Sequence, residues 1–402
     1  MGYRIITGDV STVVNELGSE PFDAIFCDPP YGLTFMGKDW DRGIPGPQIW
    51  AKFLTHLKPG ANVLAFGGTR TYHRLTCAIE DAGFDIRDGI IVWHYGSGWP
   101  KPANISKMID KKLKRQRTVI DQNPNARPNR VGRDNTNSNG AETEGSPITA
   151  PASDEAKLFD GYHANLKPAW EPVVMARKPL DETLANNALT HGLAGLNIDG
   201  CRIDTTDDLA RVNRDNDGMF GIGKGMNAAP QRSFLGLPPL GRWPTNVIYT
   251  CHEQICGPGD PREIEHRPGC HVFELDQQNC NTSKFFYVAK VSSRERAGSK
   301  HPTMKPVELC TYIARLILPP VRTDGKPRRL LVPFSGSGSE MIGALRAGWD
   351  DVVGIEMEPE YVATAESRLQ DWETRLATEI QLQHVLDRCG FLKGSDFKPL
   401  QP

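Results

Sequence analysis

Two short apolar runs, each leading into a loop of unusual chemistry, constrain this chain more than any other feature. Asp23-Ala24-Ile25-Phe26-Cys27 leads into Asp28-Pro29-Pro30-Tyr31, and far downstream Leu330-Leu331-Val332 leads into Pro333-Phe334-Ser335-Gly336-Ser337-Gly338. Neither run alternates apolar with polar residues, so both read as strands buried on two faces, the habit of parallel sheets. Strands are predicted at Tyr3 to Thr7, Phe22 to Cys27, Asn62 to Phe66 and Gly89 to Tyr95, with helices at Thr12 to Leu17, Gln48 to Leu57 and Tyr72 to Ala82 between them. Near the end the rhythm returns. A strand at 284–289 is followed by a helix Val307 to Leu318, a strand Arg329 to Val332, a helix Glu340 to Ala347, a strand Val352 to Glu356 and a last helix from Pro359. Such alternation specifies a doubly wound α/β sheet whose ligands sit at the carboxyl ends of the strands. Asp9, Asp28 and Gly67 all fall at such ends.

The middle of the chain breaks this pattern. Lys107 to Arg117 reads as a basic helix, and the Asn-, Pro-, Gly- and Ser-rich run after it lacks the apolar residues to order itself, which gives a mobile insertion at 118–152. A strand at Pro172 to Ala176 then suits an antiparallel partner for Gly89 to Tyr95, and residues 181–285 read as a separate small unit of short strands and turns. With 47 basic and 49 acidic residues the net charge is −2, so any nucleic-acid contact has to come from local basic surface. Lys107 to Arg117, Arg127 to Arg133 and Arg294 to Lys300 offer it, with a solvated face as the alternative reading. Nine cysteines in 402 residues fit reduced thiols rather than a disulfide scaffold. No run approaches the roughly 20 apolar residues that cross a bilayer, so the expectation is a soluble, cytoplasmic protein without membrane contact.

The downstream loop joins a strand to a helix, and its glycines let a ligand approach the backbone above the helix N-terminus. Glu356, at the end of the next strand, can accept hydrogen bonds from both ribose hydroxyls. No lysine follows the loop as in a GxxxxGK[ST] phosphate cradle, which favours S-adenosylmethionine over a nucleoside triphosphate, with a dinucleotide as the rival. The upstream loop suits a planar amine. An exocyclic amine of adenine or cytosine is a poor nucleophile because its lone pair is delocalised into the ring. Asp28 can accept one N–H and the Pro29 carbonyl the other, localising that lone pair as the nitrogen attacks. Pro29 and Pro30 stiffen the loop, and Tyr31 offers a face on which an extruded base can stack. Elsewhere, the steps His252/Cys256 and His266/Cys270 can close a structural tetrahedral zinc site, while free cysteines and surface histidines account for them without metal.

Taken together, Gly8-Asp9, Asp28-Pro29-Pro30-Tyr31, Lys58-Pro59-Gly60, His301-Pro302-Thr303-Met304-Lys305-Pro306 and the Pro333 to Gly338 loop resemble the successive motifs of the beta-class DNA amino-methyltransferases. Gly67 to Arg74, Tyr95 to Lys101 and Leu196 to Gly200 further resemble phage- and prophage-type members. Ser339 and Val332 depart from the threonine and aspartate usual at their positions. The resemblance implies a methyltransferase fold: a mixed, mostly parallel seven-stranded sheet with helices on both faces, in circularly permuted motif order, plus a small target-recognition unit. It implies catalytic roles for Asp28, Pro29, Pro30 and Tyr31, and contacts to S-adenosylmethionine from Asp9, Thr303, Lys305, Phe334, Gly336, Gly338 and Glu356. Lys305 would pair with the cofactor's methionine carboxylate. Residues 1–180 would be the catalytic half, 181–285 the recognition region and 286–402 the cofactor half. The implied substrate is adenine N6 in duplex DNA. Cytosine N4, an RNA or protein amide, and a silent DNA-binding module stand as alternatives, and monomer or homodimer, zinc and any restriction partner stay open.

Overall fold

A computed structural model describes residues 2–34, 39–95, 103–121, 147–166, 168–202, 243–250 and 304–389. The chain divides into two compact units, residues 1–94 with 171–402, and residues 95–170.

Among the described residues, the larger unit is built on a nine-stranded sheet. Its strands are β1 (Gly2–Thr7), β2 (Phe22–Cys27), β3 (Leu57–Phe66), β4 (Asp85–Ile86), β5 (Ile91–Tyr95), β8 (Trp170–Arg177), β9 (Val247–Thr250), β10 (Arg329–Pro333) and β11 (Asp351–Glu356). The order is β1-β11-β10-β2-β3-β8-β5-β9, with β4 on β8. The run from β1 to β3 is parallel, and β8 lies antiparallel to β3. Seven of these match strands expected from the sequence, the expected strand at 284–289 lying outside the described residues; β4 and β9 are additions, each a short run without the apolar length that marks a strand in sequence. All six residues of β2 and all five of β10 are buried, as strands covered on both faces must be.

Helices cover the sheet: α1 (Val10–Val13), α2 (Pro47–Thr55), α3 (Tyr72–Asp81), α6 (Leu184–His191), α7 (Val307–Leu316), α8 (Ser339–Ala347) and α9 (Pro359–Cys389). The helix expected at Thr12 to Leu17 is a single α turn continued as a 3-10 turn, Val14–Glu16. One core joins Phe22, Ile25, Trp50, Phe53, Leu57, Ile79, Leu331 and Val353. Lys58-Pro59-Gly60, expected as a stop before a strand, lies inside β3. Gly60 has φ +78°, and a Cβ there would run into the Asn187 amide, which donates to Pro59 O at 3.0 Å. That contact, with Asn197 N–H donating to Leu316 O at 2.8 Å, ties residues 181–202 to β3 and α7.

Beneath the sheet, the buried Asp23 carboxylate receives Lys58 Nζ at 2.5 Å and Arg329 N–H at 2.7 Å. It pins the amino ends of β2, β3 and β10, and β2 and β10 carry the two loops at their other ends. Breaking such a buried pair typically costs about 3–5 kcal/mol.

The smaller unit holds α4 (Ile105–Lys112), α5 (Asp154–Leu158) and a two-stranded ladder of β6 (Thr118–Asp121) with β7 (Ile148–Ala150). The two ends of the segment expected as a mobile insertion are thus paired strands. The basic helix stops at Lys112, short of Arg117. Arg117 instead turns inward and donates to Asp110 at 2.7 Å, Ser106 at 3.0 Å and Thr149 Oγ1 at 2.9 Å, so it is a structural residue of this unit. No helix among the described residues is long and apolar enough to cross a membrane. The described Cys27, Cys77 and Cys201 are free thiols.

Candidate active site

Parallel β2 delivers Asp28-Pro29-Pro30-Tyr31 to the carboxyl edge of the sheet, where Pro29 is buried and Asp28 half-buried. The loop is held by a residue that the sequence reading did not single out. Asp41, itself buried, accepts the N–H groups of Tyr31 at 2.8 Å, Gly32 at 2.9 Å and Leu33 at 3.2 Å. A second brace comes from the loop after β3: Thr71 Oγ1 donates to Tyr31 O at 2.7 Å, and a Cβ on Gly68 would meet the Tyr31 ring at 3.1 Å. Tyr31 in turn donates its hydroxyl to Asp28 Oδ1 at 2.8 Å.

Lys305 arrives from the far end of the sequence. It precedes Pro306, the N-cap of α7, and α7 packs on α8 so closely that a Cβ on Gly343 would lie 2.5 Å from Cys310 Cβ. Lys305 Nζ donates to Asp28 Oδ2 at 2.7 Å and to Tyr31 Oη at 3.1 Å, faces Glu171 Oε2 at 3.5 Å, and sits 4.6 Å from the Phe66 ring centroid. Burial alone would lower the ammonium's pKa, but the Asp28 and Glu171 charges outweigh it and hold Lys305 above its ordinary range. The same charges act on their neighbours. Burial, aided by the Asp28 charge and opposed by Lys305, raises Glu340 to about 7. Burial also pushes Glu171 up, against the pull of Lys305. Lys305, expected against a cofactor carboxylate, meets this chain's own Asp28 here.

The glycine loop follows β10, the strand from which the sheet runs one way to β11 and β1 and the other way to β2 and β3. Ligands of open α/β sheets collect at such a switch point. Phe334 has φ +60°, a left-handed backbone that costs a side-chain-bearing residue about 1–2 kcal/mol. Gly336 and Gly338 have φ +50° and +79°. Glu356, buried at the end of β11, accepts Gly336 N–H at 2.8 Å through Oε2 and Glu358 N–H at 2.9 Å through Oε1. Burial raises its pKa against those donors. Asp9 follows β1, the neighbour of β11, and caps α1 by accepting Ser11 N–H at 2.7 Å. Phe334, Gly336, Gly338, Glu356 and Asp9 therefore share one edge. The residues present fit a nucleoside: the Glu356 carboxylate beside the glycine loop is an acceptor suited to a ribose hydroxyl. Thr303 lies outside the described residues, as do His252, Cys256, His266 and Cys270, the strand at 284–289, and the basic stretches Arg127 to Arg133 and Arg294 to Lys300.

A parallel sheet with a glycine loop and a strand-end acid at its switch point, and a second acid in the adjoining loop, has the layout of the nucleoside-binding α/β folds. The model of the N6_N4_Mtase family of DNA methylases matches residues 22–367, a span that includes both loops. The chain belongs to this family of DNA methylases. No curated protein matches it. Similar solved structures include the M1.HpyAVI–SAM complex, at 14% identity over 91% of this chain and 100% of that one with TM-score 0.40. The PvuII DNA methyltransferase, described as cytosine-N4-specific, is similar at 13% identity over 92% of this chain and 86% of that one with TM-score 0.41.

Proposed function

We propose that this DNA methylase transfers the methyl group of S-adenosylmethionine to N6 of an adenine flipped out of duplex DNA. The observation that carries this reading is the Asp28 carboxylate, braced by Tyr31 and Lys305 in the loop beside the switch point. Each of its oxygens spends one lone pair on these braces and keeps another for an amine N–H. The Pro29 carbonyl supplies the second acceptor, so the amine nitrogen is drawn toward a tetrahedral shape with its lone pair directed outward. Lys305 holds the Asp28 carboxylate in place for this task. Glu356, the glycine loop and Asp9 would hold the nucleoside cofactor, which when bound supplies an electrophilic methyl on a sulfonium. Asp28 is the first acceptor for the proton that the methylated amine sheds. The choice of adenine rests on aspartate, rather than serine, opening the loop, a habit of the resembling family.

Incubation with methyl-labelled S-adenosylmethionine and duplex DNA, followed by nucleoside analysis, tests the proposal. Label is expected in N6-methyladenine. Equal labelling of an adenine-free duplex, or label confined to N4-methylcytosine, overturns the adenine assignment.

A further inference from the structure

Glu171 is a half-buried carboxylate, with one oxygen enclosed, beside the reacting groups and accounted for by neither loop. It stands second in β8, and because β8 runs antiparallel to β3 with Val173 opposite Phe66, it comes to the carboxyl edge of the sheet. Gly67 N–H donates to Pro172 O at 2.9 Å and fixes that register. Glu171 Oε2 is enclosed and has no hydrogen-bond partner among the described residues, and its ion-pair partner is Lys305 Nζ at 3.5 Å. A carboxylate enclosed in this way is costly unless a charge compensates it. Lys305 is that charge, and it serves two carboxylates at unequal distances, 2.7 Å to Asp28 and 3.5 Å to Glu171.

We infer that Glu171 is a positioning residue for the catalytic carboxylate: by taking a share of Lys305 it limits how tightly the ammonium holds Asp28. The inference rests on the methyl-transfer reading of Asp28. An ammonium given wholly to Asp28 would draw the carboxylate's electrons away from an incoming amine N–H, whereas a shared one keeps Asp28 oriented yet still a strong acceptor. The ionisable groups that bear on this pair are Asp28 and Tyr31 from the loop after β2, Lys305 before α7, and Glu340 in the first turn of α8, itself under the influence of Arg368. Burial raises Glu171, so its protonation falls nearer neutrality than that of an ordinary glutamate. Once it is neutral, Lys305 belongs to Asp28, and transfer slows as the pH falls.

The test is single-turnover methyl transfer by the full chain, with labelled S-adenosylmethionine and duplex DNA, as a function of pH. The parent is expected to lose rate along an acid limb. Glu171→Gln, nearly isosteric and permanently neutral, should transfer about tenfold more slowly at neutral pH and lack that limb, with cofactor and DNA affinities within about twofold of the parent. Glu171→Asp should keep the limb, and in a Lys305→Met background Glu171→Gln should add nothing. If Glu171→Gln does not fold, the limb kept in Glu171→Asp and lost in Lys305→Met carries the test. A parent-like rate and limb in Glu171→Gln, or a limb that vanishes only in Glu340→Gln, overturns the inference alone. A parent that transfers no methyl group to DNA overturns the methyl-transfer reading and the inference with it.

Discussion

Lys305 Nζ lies 2.7 Å from Asp28 Oδ2 although the two residues are 277 positions apart. One ion pair thus joins the loop after β2 to the segment that leads into α7, and α7 rests on α8, the helix launched by the glycine loop. Any change that moves α7 against α8 is felt at Asp28. Gly343 sets that spacing, since a Cβ there would overlap Cys310.

Asp28→Ala is expected to abolish transfer, by about a thousandfold or more, while cofactor affinity stays within about threefold. Lys305→Met should cost about a hundredfold, and Lys305→Arg should restore little of it, because a planar fork cannot stand in for a compact ammonium between two carboxylates and two rings. Single-turnover transfer together with calorimetric cofactor titration checks both. Asp28→Ala with near-parent transfer would remove Asp28 from the chemistry.

Asp41→Ala removes one acceptor from three backbone N–H groups of the Tyr31 to Leu33 turn. Each such donor, left buried, costs about 1–3 kcal/mol unless water reaches it. The loop is expected to lose its fixed shape, with transfer down about tenfold to a hundredfold and the melting temperature of the larger unit lowered by a few degrees. Asp41→Asn, which keeps one acceptor oxygen, should fall between. Equal kinetics in all three proteins would show that the loop holds its shape without Asp41.

Much of this was legible in the sequence, for physical reasons. β2, β10 and β11 are short apolar runs with sharp ends, so strand, edge and loop could be read together, and Asp28, Glu356 and the glycines fell where a doubly wound sheet puts its ligands. Asp41 was not legible. An aspartate ten residues past Tyr31 carries no periodicity and no motif, and its role exists only once the chain has turned back. Glu171 likewise looked like one polar residue ahead of an apolar strand; its meaning comes from the antiparallel register of β8. Lys305 was singled out, but sequence gives no direction for a side chain, and its partner proved to be Asp28. Arg117 was read by its charge alone, which says nothing about whether a cation faces solvent or a buried aspartate.

Gly338→Val tests the cofactor half by itself. At φ +79° a β-branched residue is strained, and its Cβ would meet Ala365 Cβ at 3.0 Å. The loop would have to shift to relieve both. The cofactor dissociation constant is expected to rise at least tenfold, with DNA affinity unchanged when measured without cofactor. Unaltered cofactor binding in a folded Gly338→Val protein would move the nucleoside away from this loop.

The smaller unit separates two kinds of basic residue, and a paired experiment should tell them apart. Lys111, Lys112 and Arg115 are exposed at the end of α4, whereas Arg117 is committed to Asp110. Charge reversal of the first three to Glu is expected to weaken duplex binding about tenfold or more and to flatten its salt dependence, with cofactor affinity unchanged, as for side chains that displace counterions from phosphates. Arg117→Ala should instead loosen the unit. Burial alone would raise Asp110, but the N–H groups of Ala152 and Ser153, the Ser153 hydroxyl and Arg117 together bring it down to about 2. A carboxylate depressed on folding stabilises the native state above its unfolded pKa, about 4, and that stability is lost as pH falls toward 2. Removing Arg117 lifts the folded value toward the unfolded one, so less stability should be present at neutral pH and less lost on acidification. Proteolysis of the segment between β6 and β7, followed from pH 7 to pH 2 in the full chain, reports this directly. Faster cleavage of Arg117→Ala at neutral pH with unchanged DNA affinity is the expected pattern; parent-like cleavage with weakened DNA binding would make Arg117 a phosphate contact after all.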